Sequence, residues 1–307
     1  MTITLKELYE NSYKIKLEAL GRSPQYSADI KCSINKWERI IGNVPIESIT
    51  DEVMNQFAVG LKKETHRGNP VSPCTVRKTM RDIRTLLNHA IKKDIIPKKP
   101  EIIMPGEKYR HAKDAFTFEE IQAILKATSI YAGQIINATQ VIKADVWWKN
   151  LISFVYYTAV RVGTARAIRF DWIDGNTINI QDGEGVKTTY ILPLHDEAIA
   201  IIKQMRELHS NDLVFPWPFG RTYMHKCFRL IVIAAGLPKS RWFGFHAIRK
   251  HTGSEMAKTD FAAAVKLLGH STPNVTSQYY MNASQVCSDA IKKIKPLDDE
   301  QEGGTQP

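Results

Sequence analysis

The chain has 307 residues, 43% of them hydrophobic, 24% charged and 9% aromatic. This composition excludes wholesale disorder and, at this length, points to two domains rather than one core. Forty-two Lys and Arg against 32 Asp and Glu leave a formal charge of +10, a field that draws polyanions, nucleic acid before an anionic membrane surface.

Four scattered cysteines (Cys32, Cys74, Cys227, Cys287) form no C-x-x-C pair, which argues against a disulfide framework or a structural zinc site. No apolar run nears the roughly 18 residues of a membrane span. The start, MTITLKELYE, lacks the basic and apolar regions of a signal peptide. These features predict a soluble, cytoplasmic protein that does not engage a membrane.

The first hundred residues read as helices. Leu5, Leu8, Tyr9, Tyr13, Ile15, Leu17 and Leu20 make a pattern close to a helical stripe between about Leu5 and Leu20. Ser23-Pro24 supplies a cap and a first-turn proline for a second helix that buries Ile30, Ile34, Trp37 and Ile40/Ile41 and stops at Gly42. Thr50 caps a third, DEVMNQFAVGLKKE, acidic in its first turn and basic in its last, as the helix dipole favours. Ser72-Pro73 opens a fourth with the stripe Val76, Met80, Ile83, Leu87 and Ile91. On another face Arg77, Arg81 and Arg84 recur at i, i+4 and i+7. That row reads equally as a solvated face or as a track for a phosphate backbone.

Between Asp94 and Asp114 periodicity fails; three prolines and several lysines mark a basic linker. About +7 of the excess charge lies in residues 1–114. Thr117 restarts the pattern as T-F-E-E-I, a capping box with Glu120. Helices are predicted around Ile121–Ala127 and Trp147–Val160. The stretch TINIQDGEGVKTTYILPL alternates with period two on both sides of Gly-Glu-Gly and predicts a β-hairpin. Helices follow at Glu197–Leu208, Tyr223–Ala235, His246–Lys258 and Phe261–Leu268, then an acidic, Gly/Gln-rich tail. No phosphate-binding loop or dinucleotide fingerprint is present, so nucleotide hydrolysis and dinucleotide binding have no support; with no clustered metal carboxylates either, no cofactor and no metal is expected.

Four local features carry chemistry, each with a plain structural alternative. Arg161 ends the apolar run LISFVYYTAV, where an arginine can simply complete a helix C-terminus. Lys187 is the one lysine of the hairpin, where lysines often guard an exposed edge. His246 and Arg249, three apart, share a helix face, a spacing common by chance. Leu268-Gly269-His270-Ser271 looks like a helix end at a glycine cap, and Tyr279, nine residues past His270, could be core aromatic packing.

Their order is what discriminates. Thr158-Ala159-Val160-Arg161, Lys187, His246-Ala247-Ile248-Arg249, Leu268-Gly269-His270-Ser271 and Tyr279 resemble, in sequence and spacing, the T-G-x-R, hairpin lysine, H-x-L-R, L-G-H-S and tyrosine of the tyrosine recombinases (phage integrase family). The likeness runs over about residues 5–295. It implies a mainly α protein: a helical, SAM-like core-binding domain (1–108), a basic linker (109–114), a mostly helical catalytic domain with a small antiparallel hairpin sheet (115–295), and a disordered tail (296–307).

The resemblance further implies a site-specific DNA recombinase. Arg161 and Arg249 would grip the scissile phosphate with forked donors. His246 and His270 would donate to it or move its protons, and Lys187 would protonate the leaving 5′-oxygen. Tyr279 would attack to give a 3′-phosphotyrosyl bond, without ATP or metal. The partners would be double-stranded DNA and further copies of the chain, two per site and four at synapsis, with Arg77, Arg81 and Arg84 on DNA. Two departures stand out: Ala159 where the family has glycine, and Thr164 where it usually has an acidic residue. A type IB topoisomerase or a catalytically decayed DNA-binding relative are the alternatives. Ala283–Ile294 has apolar spacing suited either to a neighbouring protomer or to its own domain.

Overall fold

The computed structural model describes residues 3–66, 68–104, 115–136, 141–183, 185–186, 189–260, 263–264, 267–268, 291–292 and 294–295. The chain divides into two compact units, Met1–His111 and Ala112–Pro307.

The first unit is built from α1 (Leu5–Leu8), a π turn (Tyr9–Tyr13), α2 (Lys14–Ala19), α3 (Pro24–Ile40), α4 (Asp51–Lys63) and α5 (Pro73–Ile91). Each of the last three starts where its cap predicts. The Ser23, Thr50 and Ser72 hydroxyls accept from the backbone N–H groups of Tyr26, Val53 and Thr75, satisfying donors the helix itself cannot. The apolar stripes meet in one core of Ile30, Ile34, Trp37, Phe57, Met80 and Ile83. Trp37 packs edge-on against Phe57 at 4.8 Å. A buried polar link joins α3 to α5: the Ser33 hydroxyl donates to Asp82 at 2.7 Å, and Lys78 lies 3.2 Å from Asp29 and 3.6 Å from Asp82. A small ribbon of β1 (Thr65–His66) and β2 (Asn69–Pro70) connects α4 to α5. The sequence reading missed it, because two-residue strands are too short to alternate.

The second unit is organised on α7 (Ala144–Thr158), whose residues are buried on nearly every side, as befits a helix at the centre of a core. Around it lie α6 (Phe118–Lys126), α9 (Asp196–Leu208), α10 (Arg221–Ala234) and α11 (His246–Thr259). Short α8 (Val162–Ala167) follows α7 directly. A three-stranded antiparallel sheet, β3 (Ile173–Asp174), β4 (Thr177–Ile180) and β5 (Tyr190–Pro193), completes the unit. Ile178 pairs with Leu192 and Ile180 with Tyr190, so Ile178, Ile180 and Leu192 face the core while Ile191 points to solvent.

Three features differ from the sequence reading. The hairpin strands stop at Ile180 and restart at Tyr190, so they flank a long loop rather than a tight Gly-Glu-Gly turn. β3 adds a third strand, too short for alternation to betray. The helix expected to Val160 ends at Thr158, and Arg161 caps a new helix instead of finishing the old one.

Near the chain's end, Ile291 and Ile294 are buried in the second unit's own core. The Tyr156 hydroxyl donates to the Lys295 carbonyl at 2.9 Å, and the Lys295 ammonium lies 4.3 Å over the Phe118 ring. These residues therefore pack on their own domain. Residues 283–290 and 293, the linker core 105–114 and the tail 296–307 lie outside the described residues.

Candidate active site

The site begins at the end of α7. The Thr158 hydroxyl donates back to the Phe154 carbonyl at 2.6 Å, and Ala159 then turns left-handed, with φ +50° and ψ +19°. An L-residue with a Cβ occupies this region at a cost, and the turn redirects both the Ala159 carbonyl and the following chain. Arg161 leaves the corner in extended conformation as the residue before α8, half-buried. One turn on, Thr164 is buried.

The second arginine comes from α11. Phe245, stacked on Phe228 with centroids 4.0 Å apart, seats the helix start. His246 is exposed there, and Arg249, one turn further, is only 2% exposed. Its Nη1 donates to the Ala159 carbonyl at 2.6 Å and its Nη2 to the Leu268 carbonyl. One guanidinium thus ties the corner before Arg161 to the residue that precedes Gly269. The Thr252 hydroxyl, donating to the Tyr156 carbonyl at 2.7 Å, clips α11 to α7 a turn below.

The two arginines border one corner, since Arg249 is bonded to the Ala159 carbonyl two residues before Arg161. Burial pushes the Arg249 pKa down to about 10; the Arg161 charge pushes in the same direction, and Tyr190 opposes it. Tyr190 in turn is pushed up by burial and pulled back by Arg249 and Arg161. Among the described residues, neither arginine is ion-paired with a carboxylate. Two like charges held together without a counter-charge make a receptor for an anion, because the anion relieves their repulsion. Tyr190 was missed from the sequence. The alternation of Tyr190 and Leu192 against Ile191 gives its face; what lies opposite that face depends on the sheet's placement.

Of the predicted site residues, the structure brings Arg161, His246 and Arg249 to the ends of α7, α8 and α11. Lys187, His270 and Tyr279 lie outside the described residues. Arg77, Arg81 and Arg84 belong to the first unit, on α5; Arg81 is exposed and the other two are half-buried. Among the described residues, no cluster of three His, Cys, Asp or Glu side chains is placed to hold a metal ion, and no helix is long and apolar enough to cross a membrane.

The sequence profile of the phage integrase family matches residues 114–285, and that of the phage integrase SAM-like domain matches residues 6–104. The chain belongs to the phage integrase family, the tyrosine recombinases. No curated protein sequence matches this integrase significantly. Its fold, mainly helical with small antiparallel sheets, is that of solved integrases. A lambda integrase dimer bound to a COC′ core site aligns with a TM-score of 0.67 at 18% identity, over 91% of this chain and 77% of that one. A lambda integrase tetramer bound to a Holliday junction gives 0.67 at 16%, with the same coverage. The Tn1549 transposon integrase (residues 82–397) in complex with circular intermediate DNA gives 0.66 at 16%, over 92% and 98%.

The integrase fold makes sense of the departure at Ala159. The position demands a positive φ, which glycine adopts freely; here alanine takes the same conformation and keeps its carbonyl on Arg249.

Proposed function

We propose that this integrase is a site-specific DNA recombinase that cuts and rejoins strands through a 3′-phosphotyrosyl intermediate. The observation that carries the reading is the pair Arg161 and Arg249, close enough to repel and ion-paired with no carboxylate among the described residues.

A scissile phosphodiester gathers negative charge on its non-bridging oxygens as a nucleophile adds. Arg249 has two donors committed to backbone carbonyls, which fixes the plane of its remaining donors before the phosphate arrives. Such preorganisation costs no rearrangement at the moment of reaction. Arg161 supplies the second fork, and His246 and His270 donate to the phosphate or carry the phenolic proton. Tyr279 attacks phosphorus while Lys187 protonates the departing 5′-oxygen. The phosphotyrosyl ester conserves the energy of the broken bond, so resealing by the 5′-hydroxyl needs neither ATP nor a metal.

DNA is the substrate in this reading, with Arg77, Arg81 and Arg84 contributing phosphate contacts and two protomers on each site joining as four at synapsis. The SAM-like domain match favours this over a monomeric type IB topoisomerase.

The test is a nicked suicide duplex that loses its 5′-hydroxyl fragment after cleavage. The wild-type chain should become covalently attached to it. Tyr279→Phe should bind equally well and never attach. No covalent product from intact protein would leave a DNA-binding relative that has lost its activity.

A further inference from the structure

Between β4 and β5 the chain meets the first turn of α8 backbone to backbone, at Gly185 and Gly163. A Cβ at Gly163, in the first turn of α8, would fall 3.1 Å from the Gly185 carbonyl oxygen. A Cβ at Gly185 would fall 2.7 Å from the Gly163 carbonyl oxygen, and Gly185 also has φ +90°. At these distances the neighbour must move, and it is main chain, which has no rotamer to escape into. Gly185 is therefore restricted to glycine by space and by its dihedral, whereas a Cβ at Gly163 would push the Gly185 carbonyl away by a few tenths of an ångström. The loop is braced beside this contact: the Val186 N–H donates to the Gly183 carbonyl at 3.1 Å, and Val186 packs on the core.

In sequence, Arg161 stands two residues before Gly163 and Lys187 two residues after Gly185. Two residues of chain span at most about 7 Å, so the contact sets the starting point from which each cation reaches. We propose that Gly163 and Gly185 form a side-chain-free seat that registers the hairpin loop against the Arg161 turn, delivering Lys187 to the phosphate that Arg161 binds. Both are positioning residues, and the proposal rests on the recombinase reading above.

Sulfur chemistry separates positioning of the acid from general damage. A suicide duplex whose scissile 5′-bridging oxygen is replaced by sulfur has a thiolate leaving group that needs no protonation. Full-length wild type, Gly163→Ala, Gly185→Ala, Gly183→Ala and Lys187→Ala are compared on the oxygen and sulfur substrates, with DNA affinity and thermal stability measured alongside. Alanine favours helix over glycine, so Gly163→Ala should fold. A Cβ at Gly183 would stand at ordinary contact distance, 3.8 Å from the Trp172 ring, so Gly183→Ala is the matched loop control.

Gly163→Ala and Gly185→Ala should each lose at least about tenfold in cleavage rate on oxygen, within the range of a lost general acid. They should regain nearly wild-type rates on sulfur, as should Lys187→Ala, while Gly183→Ala stays like wild type on both. Undiminished cleavage of the oxygen substrate by both seat variants overturns the proposal. So does a loss that sulfur fails to restore, which places the damage at Arg161 or in the fold. Failure of Lys187→Ala to recover on sulfur removes the acid that the seat would position. A wild-type chain that attaches to neither substrate overturns the recombinase reading itself, a result distinct from all of these.

Discussion

Arg249 has its two terminal nitrogens bonded to the carbonyls of Ala159 and Leu268, so its planar fork matters as much as its charge. Lysine has three donors on one atom and cannot span two carbonyls while presenting a flat edge to a phosphate. Arg249→Lys should therefore cut covalent-complex formation by about 10²–10³-fold, as when a preorganised donor is removed. DNA affinity should stay within a few-fold, since affinity is spread over many phosphate contacts. Retained cleavage in a single-turnover assay would contradict this. At Ala159 three effects compete. Glycine relieves a left-handed penalty of about 1–2 kcal/mol, but it gives the unfolded chain about 0.5–1 kcal/mol more entropy to lose and removes a fully buried methyl worth about 0.8 kcal/mol. The terms nearly cancel, so Ala159→Gly should shift stability by less than about 1 kcal/mol in urea denaturation. A loss above about 2 kcal/mol would show that the left-handed corner carries no penalty for glycine to relieve. Arg161 and Arg249 stood out in the sequence by their motifs, and the structure joins them at one corner through the Ala159 carbonyl. The corner itself was not legible, because nothing marks an alanine as left-handed.

The elements best read from the sequence are those started by local chemistry. Ser23, Thr50, Ser72 and the Thr117–Glu120 capping box act within three residues of themselves and need no tertiary partner. The second partner of Glu120 is a different matter: Arg241 lies 121 residues away and donates its Nε to the same carboxylate at 2.7 Å, which no local pattern encodes. Helix α5 shows where pattern runs out. The same spacing that gives the Arg77, Arg81 and Arg84 row also places Lys78, and the structure commits Lys78 to Asp29 and Asp82. Replacing the three arginines by alanine should weaken DNA binding. It should also reduce the magnitude of the slope of log K against log salt by up to about 3, near 0.9 for each phosphate no longer neutralised. An unchanged slope would return the row to plain solvated surface.

Across the whole molecule, histidines in both units are held below the usual imidazole pKa: His89 in the first and His195, His209 and His225 in the second, all chiefly by burial. A histidine with a lowered folded pKa binds its proton more readily when unfolded. Its stability cost is absent above the unfolded value of about 6.5 and grows as pH falls toward the folded pKa. Denaturation midpoints should therefore drop between pH 7.5 and pH 5.5, with both units affected. A flat or rising profile over that window would mean that these rings gain partners when charged. At this scale composition was informative, since +10 and 307 residues already suggested two cores and a polyanion. The assignment of buried histidines to each core was not legible, because burial is a property of the assembled packing.

The Leu268 carbonyl is gripped by Arg249, while Ile291 and Ile294 are sunk in the same core and Lys295 is tethered to Tyr156. Leu268 and Lys295 are thus two fixed posts on one folding unit. A change that loosens that core works on both posts together, and on the Arg249 guanidinium that holds the first of them.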